Sequence, residues 1–181
     1  MSAKDIAIAL DISLSMGDRY SELVPSRLEA SKEVIAVSGS RALQAGSRIA
    51  LALFHERPIP LLPLTAEYRA LMKALAEVNF VREGSALGDG IVEAVKLLRS
   101  SKREKVVIVF TDGGVTEGVP LRAAALYAKF SNARLSLLIL NREVRGDVAE
   151  DLRAAAQVGA EIHMVDSKQR LLSLAFETLR L

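Results

Sequence analysis

The chain has no cysteine. Neither a disulfide framework nor a thiolate zinc site is therefore open to it, and a reducing compartment is compatible with the composition. Only three Asn and three Gln occur among 181 residues. With abundant Ala, Leu, Val and Arg, this scarcity points toward a thermophilic source, although a genomic base-composition bias produces the same usage. No uncharged apolar run approaches the roughly 18 residues that span a bilayer. The first ten residues, MSAKDIAIAL, lack the long apolar region and small-residue cleavage site of a signal peptide. The chain thus reads as cytoplasmic, with no membrane partner expected.

Net charge is nearly absent too. The 24 basic and 22 acidic residues are interspersed and leave +2, so nothing demands a polyanion and no nucleic-acid partner is expected. The densest basic stretch, RSSKREK at 99–105, lies between a helical pattern and an apolar strand and reads as a solvated connection. Two catalytic signatures are also missing. There is no G-x-S-x-G nucleophile elbow. The glycine-bearing GSALGDG at 84–90 lacks the Lys of a phosphate-binding loop and follows a helix rather than a buried strand. His55 and His163, far apart in sequence, read as structural.

What is present is a set of short apolar runs bounded by turn residues: IAIAL (6–10), IALALF (49–54), VVIVF (106–110) and LSLLIL (135–140). Each is hydrophobic on both alternate faces, as strands buried between two helix layers are. IPLLPL (59–64) contains Pro60 and Pro63, which remove ladder donors and mark an edge strand. EIHMV (161–165) alternates and supplies the other edge. Helical spacing places Ile91, Ala94, Val95 and Leu98 on one face, and likewise Val148, Leu152, Ala155 and Ala156, with Gly159 as a stop. Leu172, Ala175, Phe176 and Leu179 make a last helix. Segments near 25–43, 66–78 and 119–131 complete the set, with Pro25 and Pro120 near helix starts.

The resulting order, β-α-β-β-α-α-β-α-β-α-β-α, leaves only the second and third strands too close for a crossover. One domain over 1–181 is expected: a doubly wound, Rossmann-like three-layer α/β sandwich with a mostly parallel six-stranded sheet. In strand order 3-2-1-4-5-6, with strand 3 an antiparallel edge, the ends of strands 1 and 4 meet at the crevice where such folds bind ligands.

Strand 1 runs into Asp11 and strand 4 into Asp112, so this topology brings two carboxylates together. Two such groups repel unless one is protonated or a cation sits between them. Ser13 and Ser15 follow Asp11, and Ser85 lies in the loop before a helix beginning near Asp89, itself read as a helix-start cap or dipole partner. Hydroxyl and carboxylate oxygens without Cys or a neighbouring His describe a hard-cation site of the magnesium, manganese or calcium type. A plain turn is the ordinary alternative for both Asp11–Ser15 and Asp112–Gly114.

DISLS at 11–15, Ser85 in a glycine-bearing loop and TDG at 111–113 together resemble the metal-ion-dependent adhesion site of von Willebrand factor A domains. RLEASKEVI (27–35) is similar to that family's first helix. The resemblance covers essentially the whole chain. It implies a stand-alone intracellular domain in which Ser13 and Ser15 bind the metal directly, Asp11 and Asp112 act largely through waters and hydrogen bonds, and a partner's Asp or Glu completes the coordination. It further implies a separate partner chain, either an AAA+ ATPase of the MoxR or magnesium-chelatase type or a multi-subunit assembly.

Two positions depart from the family pattern. Ser85 stands where Thr is usual, keeping the hydroxyl but losing the methyl that restricts its rotamer. Glu83 replaces a small residue and adds a negative charge that favours a cation and disfavours an acidic partner. A metal-independent scaffold with the same fold is the alternative reading. A Mg²⁺-dependent phosphohydrolase of haloacid-dehalogenase type, with Asp11 as nucleophile, is a weaker one, because Ser13 occupies the place of that family's second, general-acid Asp.

Overall fold

The six apolar stretches become the six strands of one sheet in the computed structural model, which describes residues 3–144 and 146–180. They are β1 (Asp5–Asp11), β2 (Arg48–Phe54), β3 (Pro58–Thr65), β4 (Lys105–Thr111), β5 (Ala133–Ile139) and β6 (Glu161–Met164), arranged 3-2-1-4-5-6. Every neighbouring pair is parallel except β2 and β3. The helices are α1 (Arg27–Gln44), α2 (Tyr68–Glu77), α3 (Leu87–Leu97), α4 (Leu121–Phe130), α5 (Gly146–Gln157) and α6 (Lys168–Leu179). The expected element order holds. A single 3₁₀ turn at Leu14–Gly17, which no sequence period announced, follows β1.

The alternation of β1 separates the two cores. Ile6, Ile8 and Leu10 face the layer of α1, α2 and α6, against Val34, Ile35, Leu71 and Leu174. Ala7 and Ala9 face the other layer, against Ile91, Leu121 and Leu152 of α3, α4 and α5. Small residues on that side let α3 approach the sheet closely. Gly90 lies so near the ring of Phe54 that no Cβ would fit there.

Local signals set the helix starts. Ser26 accepts the Glu29 amide at 3.1 Å, and Glu29 adds an acid to the first turn of α1. Ser167 likewise caps α6. Both sheet edges are blunt. β3 carries Pro58, Pro60 and Pro63 and shifts register against β2, and β6 has only four residues.

At the opposite end of the sheet from the expected site, Asp5 is fully buried and takes both forks of Arg48, at 2.9 and 2.6 Å. Burial alone pushes its carboxyl up. Hydrogen bonds from Arg48 and Ser101, with the fields of Arg48 and Arg103, outweigh that and hold it below the usual carboxylate value. A carboxyl lowered by folding stabilises the native state above its unfolded pKa of about 3.9, and that contribution disappears as pH falls through the folded value. Asp5→Asn is therefore expected to be less stable than the native chain at neutral pH, with the gap closing below about pH 4. Urea melts of both proteins from pH 7 to pH 3 check this; a gap independent of pH would contradict it.

Candidate metal centre

The sheet order delivers the meeting of carboxylates. Leu10 pairs with Phe110, so Asp11 and the Thr111–Asp112 step leave the sheet side by side. Asp11 is completely buried. Its Oδ1 accepts the Ser13 amide at 2.8 Å, and its Oδ2 accepts the hydroxyls of Thr111 at 2.6 Å and Ser85 at 3.5 Å. Ser13 opens the 3₁₀ turn and Ser15 lies within it, their Oγ atoms 3.4 Å apart. Asp112 follows the last residue of β4, and its Oδ1 accepts the Gly114 amide at 2.9 Å. This side-chain-closed turn needs Gly113, whose φ of +90° is a left-handed value that side chains resist.

The Ser85 loop is fixed from several directions. The Arg82 amide donates to Ile12 O (2.8 Å) and the Ala86 amide to His55 O (2.6 Å). The Ser85 amide donates to Thr116 Oγ1 (2.8 Å), while Thr116 N returns a bond to Ser85 O (3.0 Å). The GSALGDG stretch divides here: 84–86 are loop, and α3 begins at Leu87, ahead of the expected start. Asp89 lies in the first turn of α3, as a dipole partner should, but it does not cap the helix. Its Oδ2 accepts the Val119 amide at 2.9 Å and ties α3 to the approach of α4. Glu83 is exposed.

All five expected residues, Asp11, Ser13, Ser15, Ser85 and Asp112, thus sit on three segments at one end of the central strands. Among the described residues no three of His, Cys, Asp and Glu form a metal-binding group, so any cation here relies on hydroxyls beside two carboxylates. The donor set fits that role. The Ser85 hydroxyl spends its proton on Asp11, and a hydroxyl so oriented keeps its lone pairs for another contact. The 3.4 Å between Ser13 and Ser15 oxygens is only slightly wider than the edge of about 3 Å expected for an octahedron with Mg–O bonds of roughly 2.0–2.1 Å.

Electrostatics point the same way. Burial pushes the Asp11 carboxyl up to about 7; the bonds from Ser13 and Thr111 oppose the rise, and the negative field of Asp112 adds to it. A divalent ion beside Asp11 would favour its ionised form.

Sequence reasoning missed three supporting residues. Thr111 both donates to Asp11 and accepts the Gly113 amide at 3.1 Å, so its hydroxyl has one orientation. Thr116 holds the Ser85 loop. Arg27, buried at the start of α1, donates from Nε to Leu140 O (2.8 Å) and from Nη1 to Ser15 O (3.1 Å), and it stacks 4.2 Å over the Tyr20 ring. Only Thr111 left a trace: a hydroxyl directly after the buried apolar run Val106–Phe110. His55 meets the Ser85 loop through its carbonyl, and His163 lies on β6 opposite Leu138.

A sequence profile described as the von Willebrand factor type A domain matches residues 6–115, well over half of the chain. The chain belongs to the von Willebrand factor A family. No functionally curated protein matches this A domain. Solved structures do. BatB from Bacteroides thetaiotaomicron, a conserved hypothetical protein, is 22% identical with a TM-score of 0.77, over 97% of this chain and 98% of that one. The A domain of SpRpn10 is 20% identical with a TM-score of 0.73, over 97% and 95%. Proximal thread matrix protein 1 from the mussel byssus, described with a zinc-occupied metal-ion-dependent adhesion site, is 17% identical with a TM-score of 0.77; the match covers 98% of this chain and 45% of that one. These likenesses concern the fold.

Proposed function

We propose that this A domain is a non-catalytic interaction module that captures a carboxylate of a protein partner through a divalent cation. The observation that carries the reading is the convergence of Ser13, Ser15 and Ser85 with Asp11 and Asp112, from three chain segments, at the switch point of the sheet. Ser13, Ser15 and Ser85 would hold the ion, with the two carboxylates ligating directly or through water. When bound, the cation supplies an electrophilic position for one further anion, since two carboxylates only neutralise its charge. The protein's own part is to hold the turn, through Arg27, and to orient Asp11, through Thr111.

The oxygen-only donor set favours Mg²⁺, with Mn²⁺ or Ca²⁺ as substitutes, over the zinc described in the mussel protein. A hydrolytic role is disfavoured because Ser13 supplies a hydroxyl where acid catalysis requires a group titrating near neutrality. The absence, among the described residues, of a helix long and apolar enough to cross a membrane suits a cytoplasmic module. An AAA+ ATPase or a multi-subunit assembly is the class of partner in this reading.

Calorimetric titration of Mg²⁺, Mn²⁺ and Ca²⁺ into EDTA-stripped protein, with partner capture in Mg²⁺ and again in EDTA, tests the proposal. Binding of one ion and EDTA-sensitive capture are expected. No binding of any ion would overturn it, and capture unaffected by EDTA would favour the metal-independent scaffold.

A further inference from the structure

Beside the metal centre, a cleft of about 290 Å³ opens between the chain leaving β4 and the start of α5, walled by Asp112, Gly113, Gly114, Asn141, Val144 and Val148. A second cleft of similar size continues beyond Val144 along α5 to edge strand β6, over Leu152, Ala156, Ile162 and Met164. Val144 lines both, so the two form one track that starts at a carboxylate of the metal centre.

From Val144 and Val148 outward the floor of this track is aliphatic and incompletely covered. Val144, Val148 and Ile162 pack against the core beneath but are only partly buried, and Met164 is 40% exposed. Across the metal centre Leu14, between the two serines, is 52% exposed. Single exposed apolar groups need no explanation, but a contiguous row leading from a binding site suggests a surface that becomes covered. The track is also fixed relative to the serines. Arg27 bonds both Ser15 O and Leu140 O, and Tyr20, on which it stacks, accepts the Arg142 amide through its hydroxyl at 3.0 Å. Among the described residues the charged groups on the lining are Asp112 and Glu143 near the metal centre and Arg153 at the far end.

We infer that this track selects the partner: its occupant is an extended segment of a second protein that places an Asp or Glu at the metal centre and, a few residues along, branched aliphatic side chains over Val148 and Met164. The inference rests on the metal-dependent reading above. In it the carboxylate gives cation dependence and orientation, and the aliphatic groups distinguish one acidic segment from the many others in a cell. A basic companion residue fits less well, because among the described residues the charged group in the far half of the track is a cation, Arg153.

A phage-displayed random dodecapeptide library panned on the full chain in Mg²⁺ provides the probe. EDTA-eluted peptides should be enriched in Asp or Glu at a fixed separation from Leu, Ile or Val. For the synthetic version of a selected peptide, fluorescence anisotropy should show affinity weakened at least about tenfold by Val148→Glu and by Met164→Glu. Lys129→Glu, at the opposite end of the sheet, should change it less than about twofold. Circular dichroism and Mg²⁺ calorimetry on each variant report whether fold and metal site persist, and exposed Met164 serves if Val148→Glu does not fold.

Acidic peptides with no aliphatic companion, or peptides indifferent to both substitutions, would overturn the inference while leaving the metal-dependent reading intact. Mg²⁺ binding without EDTA-sensitive enrichment would overturn the inference, and failure to bind any ion would overturn both. Sedimentation showing Val148-dependent self-association in place of peptide binding would assign the track to a second copy of the chain instead.

Discussion

Asp11→Ala is expected to lower Mg²⁺ affinity at least about 100-fold, the largest effect of any single substitution at the metal centre. The change removes one of two negative charges and the acceptor toward which the Ser13 amide and the Thr111 and Ser85 hydroxyls all point. Without it the Ser85 hydroxyl has no reason to keep its lone pairs turned outward. Thr111→Val isolates the orienting part. It leaves both carboxylates but deletes the 2.6 Å bond to Asp11 and the acceptor of the Gly113 amide, and should cost about tenfold, within the range for residues that orient a ligand. Calorimetry on the two variants, with thermal melts as a control for folding, makes the comparison. Mg²⁺ affinity within threefold of native for Asp11→Ala would remove Asp11 from the site.

The largest loss of stability should come from a methyl group. Gly88 is the second residue of α3, and a Cβ there would overlap the carbonyl of Val119. That obstacle is backbone, and it cannot swing aside, because the Val119 amide is held by Asp89 on the same helix turn. Gly118 closes the lock from the other side, its α-carbon so near the Asp89 carboxylate that a side chain would collide with it.

Gly88→Ala must therefore separate α3 from the chain approaching α4, at about 3 kcal/mol, toward the upper end for overpacking. For a domain of this size that corresponds to a melting temperature lower by about 6–12 °C. Mg²⁺ binding should weaken as well, since Ser85 is pinned between the same two segments. Gly17→Ala is the control: its added methyl would meet only Val81 methyl carbons, the nearer at 3.4 Å. Equal urea midpoints for the two variants would show that the α3–α4 contact yields more readily than its geometry implies.

The sheet was legible because buried parallel strands leave an unmistakable composition. Ile6–Leu10 and Val106–Phe110 have no polar residue to compete with, and the scarcity of room between β2 and β3 forced the one antiparallel pair. The prolines of β3 gave the edge away. The candidate site was legible only as far as side-chain chemistry repeats along the chain: Asp11, Ser13 and Ser15 stand close together in sequence, and topology supplied Asp112.

What stayed hidden depended on contacts between distant segments. Nothing local distinguishes Thr116 from any loop threonine, or Arg27 from any solvated helix residue, until the sheet brings residue 85 to 116 and residue 27 to 140. Asp5 and Arg48 are alike in this respect. Each begins a strand with a charge, and only the register that pairs them turns two unremarkable charges into a buried fork. The early start of α3 has a similar origin, since its first turn is held by Asp89 reaching Val119, not by any capping side chain.

Lys4 donates from Nζ to the carbonyl of Leu179 at 2.7 Å, and Arg134 bonds the carbonyl of Thr178. Residue 4 and the last turn of α6 are therefore stapled together at the base of β1, seven residues before Asp11, or roughly 20 Å at the rise of a strand. A tether attached at Lys4 or Leu179 would emerge from the pole remote from Ser13 and Ser15. Immobilised that way, every molecule would present the same side to solution, with the approach to Ser13 and Ser15 open.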